Sequence, residues 1–253
     1  MQRERVAKLV FVAPLVAGLV AYLLLPPIRQ SENYHHFADG RTFLGIPNCL
    51  NVLSNVPFAV VGVAGLVAFR DLVSRVLFGG IALVAVGSAY YHLHPDTARL
   101  VWDRAPMTIA FMAILALLVE EFWSERAGRA VLFPSVCLGL FSVWWWQVSG
   151  DLRFYGIVQF GPMLAIVAAL VVFQARQDRA LWFVFGLYGV AKLAENFDGQ
   201  VLQVLAVSGH TLKHLLAGFA AYWIFRWRRN AVESRTQSPE EIFAADSALH
   251  KPL

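Results

Sequence analysis

The chain has 253 residues, of which 58% are hydrophobic and only 15% charged, with a mean hydropathy of +0.57. That is too apolar for a soluble domain and leaves no long polar stretch to make one, so the composition describes an integral membrane protein. A formal net charge of +4 would raise nucleic acid as a partner for a soluble protein, but the basic residues sit at segment ends and form no patch, so they read as topology signals and nucleic acid is not expected.

At the N-terminus Arg3, Arg5 and Lys8 precede an apolar run from Leu9 to Leu25, closed by Pro26-Pro27. A secretory signal shares the basic start and apolar middle, but the run is long and no small-x-small cleavage site follows, which favours a retained anchor helix over residues 1–28. Residues 28–46 are polar and mixed and read as an ordered loop or short surface helix, with His35 and His36 at its surface. Apolar stretches follow at 49–69, 76–93, 105–121, 130–148, 156–174 and 205–227, each near the ~20 residues a crossing helix needs. A weaker one, 180–197, is interrupted by Lys192 and Glu195. With the N-terminal run, these predict eight crossings in an all-α polytopic transmembrane bundle, and residues 230–253 then form a cytoplasmic tail with little fixed structure. The two cysteines, Cys49 and Cys137, fall inside or at the edge of apolar segments and suggest neither a disulfide framework nor a thiolate metal site.

Charge placement tests the count. With a cytoplasmic N-terminus, alternation puts Arg3, Arg5, Lys8, Arg70, Arg75, Arg126, Arg129, Arg176, Arg179, Arg226, Arg228 and Arg229 inside, and Arg29, Arg41, Arg99, Arg104 and Arg153 outside. This bias follows the positive-inside rule and would scramble if a middle crossing were added or dropped. Both termini are then cytoplasmic, and Trp144-Trp145-Trp146 lies near the outer end of its helix as an aromatic interface anchor.

Ionisable groups inside membrane helices are functional candidates, because they are tolerated only when they face the protein interior. His210 and His214 are one helical turn apart on one face, which suits two imidazoles sharing a metal. Ser88 and His92 share a face in the last turns of their segment, and Asp103 begins the next. All five are expected at one depth, toward the outer side. Three imidazoles with an open fourth position are the ligand set of a catalytic zinc, which lowers the pKa of water to about 7 and readies it to attack a carbonyl. Asp103 would hold that water, accept its proton and pass it to a leaving amine. Ser88 would donate to a developing oxyanion or orient the water. His94 precedes Pro95-Asp96 and reads as a loop residue.

The ordered set Ser88-x-x-x-His92, Asp103, His210-x-x-x-His214, together with Asn51-Val52-Leu53-Ser54-Asn55, resembles the alkaline ceramidase family, within a superfamily that also includes the adiponectin and progestin receptors. The likeness covers residues from about Glu32 to Trp227. It implies a seven-span hydrolase core over residues 29–229 with one added N-terminal helix, zinc on His92, His210 and His214, and catalytic roles for Ser88 and Asp103. The implied reaction is hydrolysis of the amide of a ceramide-like membrane lipid to a sphingoid base and a fatty acid; the likeness names no protein partner. Eukaryotic members carry an acidic calcium site. Here Glu32 and Asn33 match part of it, but Asn48 stands where a glutamate is expected and Arg29-Gln30-Ser31 lacks the preceding acids, which removes most of the charge that calcium requires.

Other polar groups lie close by. Asn51 and Asn55 are read either as helix-packing groups or as partners of a substrate amide, and Lys192 and Glu195 as an internal ion pair or a substrate contact. Tyr91 and Trp102 flank the site residues and are candidates for supporting or lining it, and Gly186, Gly189 and Gly209 for close helix contacts. Two other classes remain open: a non-catalytic receptor or sensor on the same zinc-stapled bundle, and a haem-binding electron carrier, which would need histidines on facing helices.

Overall fold

A computed structural model of the chain describes residues 2–173 and 179–236. Arg176 and the tail beyond 236 therefore lie outside the described residues. Within them every long element is an α-helix, and no β-strand is present. In order these are α1 (Gln2–Leu24), α2 (Cys49–Leu53), α3 (Val56–Ala68), α4 (Leu72–Leu93), α5 (Thr97–Phe122), α6 (Glu125–Ser149), α7 (Arg153–Val172), α8 (Arg179–Asn196), α9 (Asp198–Leu205) and α10 (Gly209–Thr236). Six segments are long and apolar enough to cross a membrane: Glu4–Leu24, Cys49–Ala68, Leu72–Leu93, Thr97–Phe122, Glu125–Ser149 and Arg153–Val172. That is consistent with an integral membrane protein. Of the eight crossings expected, those carried by α8 and α10 fall short of this measure. Polar residues lower their hydropathy, Lys192 and Glu195 in α8 and His210, Lys213 and His214 in α10, and Glu195 faces His210 and Lys213 across the two helices.

Local chemistry sets the element ends. Asp71 and Asp96 accept hydrogen bonds from the backbone N–H of Ser74 (2.9 Å) and Arg99 (2.7 Å), capping α4 and α5. The stretch expected at 49–69 breaks between α2 and α3. There the Asn51 carbonyl accepts from both Ser54 Oγ (3.0 Å) and Asn55 Nδ2 (2.8 Å), so side chains take over the role of backbone donors, and Pro57 opens the next helix. Residues 28–46 form a connection with one 3-10 turn, Glu32–His35. At the far end α10 runs on to Thr236, so residues 230–236 are helix and the expected tail boundary at 230 is too early.

Helices α3, α4, α5, α7, α8 and α10 neighbour one another in that order around a ring, with α6 packed behind α5 and α7, and α1 on α7. Between helices in lipid there is little hydrophobic driving force, so close packing and polar contacts must hold them. At the end away from the histidines, the buried Arg228 of α10 meets Glu120 (2.6 Å) and Asp71 (3.2 Å) and donates to Ser74 Oγ (3.0 Å). That one cation ties α10 to α5 and to the start of α4. At the other end Arg153 pairs with Asp151 (2.6 Å), donates to the carbonyls of Tyr22 (2.7 Å) and Leu25, and so clips the end of α1 to α7. The Arg153 hydrogen bond holds the Asp151 carboxyl below its ordinary range.

Candidate metal centre

Two glycines let the site helices close. A Cβ at Gly87 would stand 2.0 Å from the Trp102 carbonyl oxygen, so only glycine allows α4 to lie this near α5, and Ser88 and Asp103, next to that contact, line one cavity. A Cβ at Gly209 would stand 1.9 Å from the Ala194 carbonyl, so α10 starts directly against α8. Gly186 and Gly189, the other two expected close-contact positions, have no atom within 4 Å of where a Cβ would be. Asp198 then fixes the start of α10, accepting from the backbone N–H of His210 (2.7 Å) and of Ala38 (2.8 Å).

These contacts bring His92, His210 and His214 together, all buried, with one ligand nitrogen from each within 4.8 Å of the others. His92 Nε2 and His210 Nε2 are 3.3 Å apart. Two nitrogens bound ~2.05 Å from a tetrahedral zinc stand ~3.3 Å apart, so the pair already has the spacing of co-ligands. His214 Nδ1 meets Ser54 Oγ at 2.8 Å, and that hydroxyl donates its own proton to the Asn51 carbonyl. Ser54 must therefore accept from Nδ1–H, which leaves Nε2 of His214 with a free lone pair, as a ligand imidazole needs. His92 Nδ1 is buried without a partner. The triad fits a metal ion; nothing in the geometry selects its identity.

A charged group adjoins the triad. Glu195 accepts from Lys192 (2.5 Å) and Lys213 (2.9 Å), and the Lys213 ammonium lies 3.0 Å from His210 Nε2. The expected Lys192–Glu195 pair is present, and Lys213, on the turn between His210 and His214, is a second partner of Glu195.

A cavity of about 180 Å³ opens at this level. Ser88, Asp103, Arg104, Lys192, Glu195, Lys213 and His214 line its polar head, and its walls run through apolar residues of α4, α5, α7, α8 and α10 as far as Ile114 and Ile224. Ten residues of helix separate His214 from Ile224, so the apolar part extends ~15 Å below the histidine.

The other expected residues take separate places. Tyr91 is buried beside His92 but hydrogen-bonds to His35 Nδ1 (2.9 Å) and lies outside the cavity lining, while Trp102 is 63% exposed and points away. His35 also reaches Thr97 Oγ1 (3.0 Å), which ties the first connection to α5. Its burial pulls the imidazole pKa below its usual value. Asn51 is fully buried and accepts from Thr211 Oγ1 (2.7 Å), which ties α2 to α10, while Asn55 donates only locally, to the Asn51 carbonyl, and neither lines the cavity. Asn48 sits in left-handed backbone (φ 47), tolerable for asparagine, and donates to the His92 carbonyl (2.9 Å). His94 ends α4 as the expected loop residue.

Two readings need correction. Trp146 is no interface anchor, since it is buried, and only Trp144 of that run is openly exposed. Arg104 is no loop charge, since it lies buried within α5. A third feature carried no readable signal: Phe37 packs at a tilt against His92 and His210, with ring centroids 4.7 and 4.4 Å away. The adjacent Asp39–Arg41 pair holds the Asp39 carboxyl below its usual range, and Arg41 donates to the Ala206 carbonyl (2.8 Å), fastening that connection beside α10. No known protein-family model matches the chain, and no curated protein sequence matches it.

Proposed function

We propose that the chain is a zinc-dependent amidohydrolase of the membrane, cleaving the amide of a ceramide-like N-acyl lipid to a sphingoid base and a fatty acid. The observation that carries this reading is the joining of a polar head, with Ser88, Asp103 and His214, to an apolar cavity ~15 Å deep in one continuous space. An amide at the head then leaves an acyl chain in the apolar part, and the lipid reaches it laterally between helices. His92, His210 and His214 would hold the ion, which when bound would supply Lewis acidity for the scissile carbonyl and for water. Asp103 takes the proton from the attacking water and returns it to the leaving amine. Ser88, which lines the cavity head with Asp103, donates its hydroxyl proton to the oxyanion as charge develops or orients the attacking water. Ser54 keeps His214 in the tautomer that presents Nε2. The positive-inside count supports a seven-helix core with α1 added, both termini cytoplasmic and the site toward the outer face.

The test pairs metal analysis with lipid hydrolysis for the purified chain, His214→Ala and Asp103→Asn. Expected are about one zinc per wild-type chain, loss of that stoichiometry in His214→Ala, and retained zinc with turnover lowered roughly 10²- to 10⁴-fold in Asp103→Asn. Full zinc in His214→Ala would sink the three-histidine site. Bound zinc with no turnover of any N-acyl lipid would instead make the bundle a receptor or sensor.

A further inference from the structure

Arg104 is 5% exposed and lines the head of the cavity beside Asp103. Its guanidinium lies over the rings of Trp146 (4.1 Å), Tyr155 (4.7 Å) and Tyr34 (5.6 Å), and Nη2 donates to Gln30 Oε1 (2.6 Å). Nη1 is buried and has no hydrogen-bond partner, and no ion pair reaches Arg104 among the described residues. Aromatic faces stabilise a desolvated cation but accept no N–H hydrogen bond as strong as those a carboxylate accepts. A buried guanidinium held this way keeps an open position for an anionic oxygen. The wider charge balance points the same way. Arg104, Lys192 and Lys213 face two carboxylates, Asp103 and Glu195, around the cavity head, a surplus of one positive charge before any metal ion is counted.

We propose that Arg104, framed by Tyr34, Trp146 and Tyr155, is a subsite for the oxyanion of a long-chain lipid, of the carboxylate class. This deepens the lipid-hydrolase reading and rests on it for the nature of the ligand. Two sources carry that chemistry: the carboxylate of the released fatty acid, or an acidic group on the amine side of the substrate. Gln30 and the three rings hold the guanidinium plane, so that Nη1 is presented to whichever oxygen enters.

The test uses the full chain in detergent and follows displacement of a fluorescent neutral lipid by two matched pairs, read before turnover. The first pair is a fatty acid against the alcohol of equal length; the second is an N-acylglycine against the N-acylethanolamine of equal length. The wild-type chain is expected to prefer the acidic member of at least one pair by roughly ten- to a hundred-fold, the range of a hydrogen bond to a charged group. Preference in the first pair assigns the subsite to the released acid, and preference in the second to the head group. Arg104→Gln abolishes the preference while the neutral members bind as before. Arg104→Lys keeps the charge without the planar fork and retains only part of it.

No preference in the wild-type chain overturns the subsite, as does a preference that survives in a folded Arg104→Gln. Should Arg104→Gln not fold, an undiminished preference in Arg104→Lys counts against it. Binding requires no chemistry, so the two proposals fail separately. A chain that discriminates but hydrolyses nothing keeps the subsite and loses the hydrolase, and one that hydrolyses without discriminating does the reverse.

Discussion

Two buried arginines, one at each end of the bundle, are treated in opposite ways. Arg228, away from the histidines, is met by Glu120, Asp71 and Ser74, and although its Nη1 makes no hydrogen bond, Glu121 stands 3.9 Å from it. Arg104, at the histidine end, is met by three aromatic rings and one amide oxygen. The first is closed by carboxylates from other helices and works as a staple. The second is held in place but left chemically open. Burial alone therefore does not separate a structural charge from a working one; what separates them is whether the protein supplies the counter-charge.

The comparison can be broken at several points. The largest effect is expected at the closed end, where Glu120→Ala strands Arg228 with its nearest carboxylate gone and costs about 3–5 kcal/mol. Thermal unfolding in detergent reads this, and a change as small as that of an exposed ion pair would show that Asp71 and Ser74 suffice. Next comes Gly87→Ala at the open end. Its methyl meets the Trp102 carbonyl, a backbone atom that cannot swing aside, so α4 and α5 must part. About 1–3 kcal/mol of stability is expected to go, along with any turnover that depends on Ser88 and Asp103 together. Wild-type activity in that variant would mean the helix contact does not set the site.

The smallest effect sits in the Asp151–Arg153 clip. The Asp151 pKa is lowered by folding, so its contribution is present above the unfolded carboxylate pKa of about 4 and is lost as pH falls through the lower folded value. The Tm difference between wild type and Asp151→Asn should therefore shrink as pH drops from neutral toward 3. A difference that is flat with pH would remove the charge from the clip and leave only its hydrogen bonds.

Much of this arrangement was readable in the chain itself. The helices of the bundle follow from ~20-residue apolar runs, and the spacing of Ser88, His92, Asp103, His210 and His214 announced one cluster because such groups in apolar helices must face inward. What escaped reading depended on rotation about a helix axis and on partners distant in sequence. Arg104 follows Asp103 directly and looks from the sequence like a topology charge; only the packing of α5 against α6 and α7 turns it onto Trp146 and Tyr155. Ser54 lay within a motif already noted, yet its bond to His214 spans 160 positions of chain. α8 is expected as a weaker crossing and α10 as an ordinary one, and the polar residues on both leave them short of the measure that the other six segments meet.

Phe37 has a consequence for kinetics. Its ring lies across His92 and His210 on the side of the first connection, and that connection is fastened through Ala38 to Asp198 and through Arg41 to Ala206. Were the triad to take up a metal ion, that ring and its fastening would stand on one side of it, so Phe37→Ala is expected to speed exchange with a chelator; an unchanged exchange rate would remove the connection from the exit route.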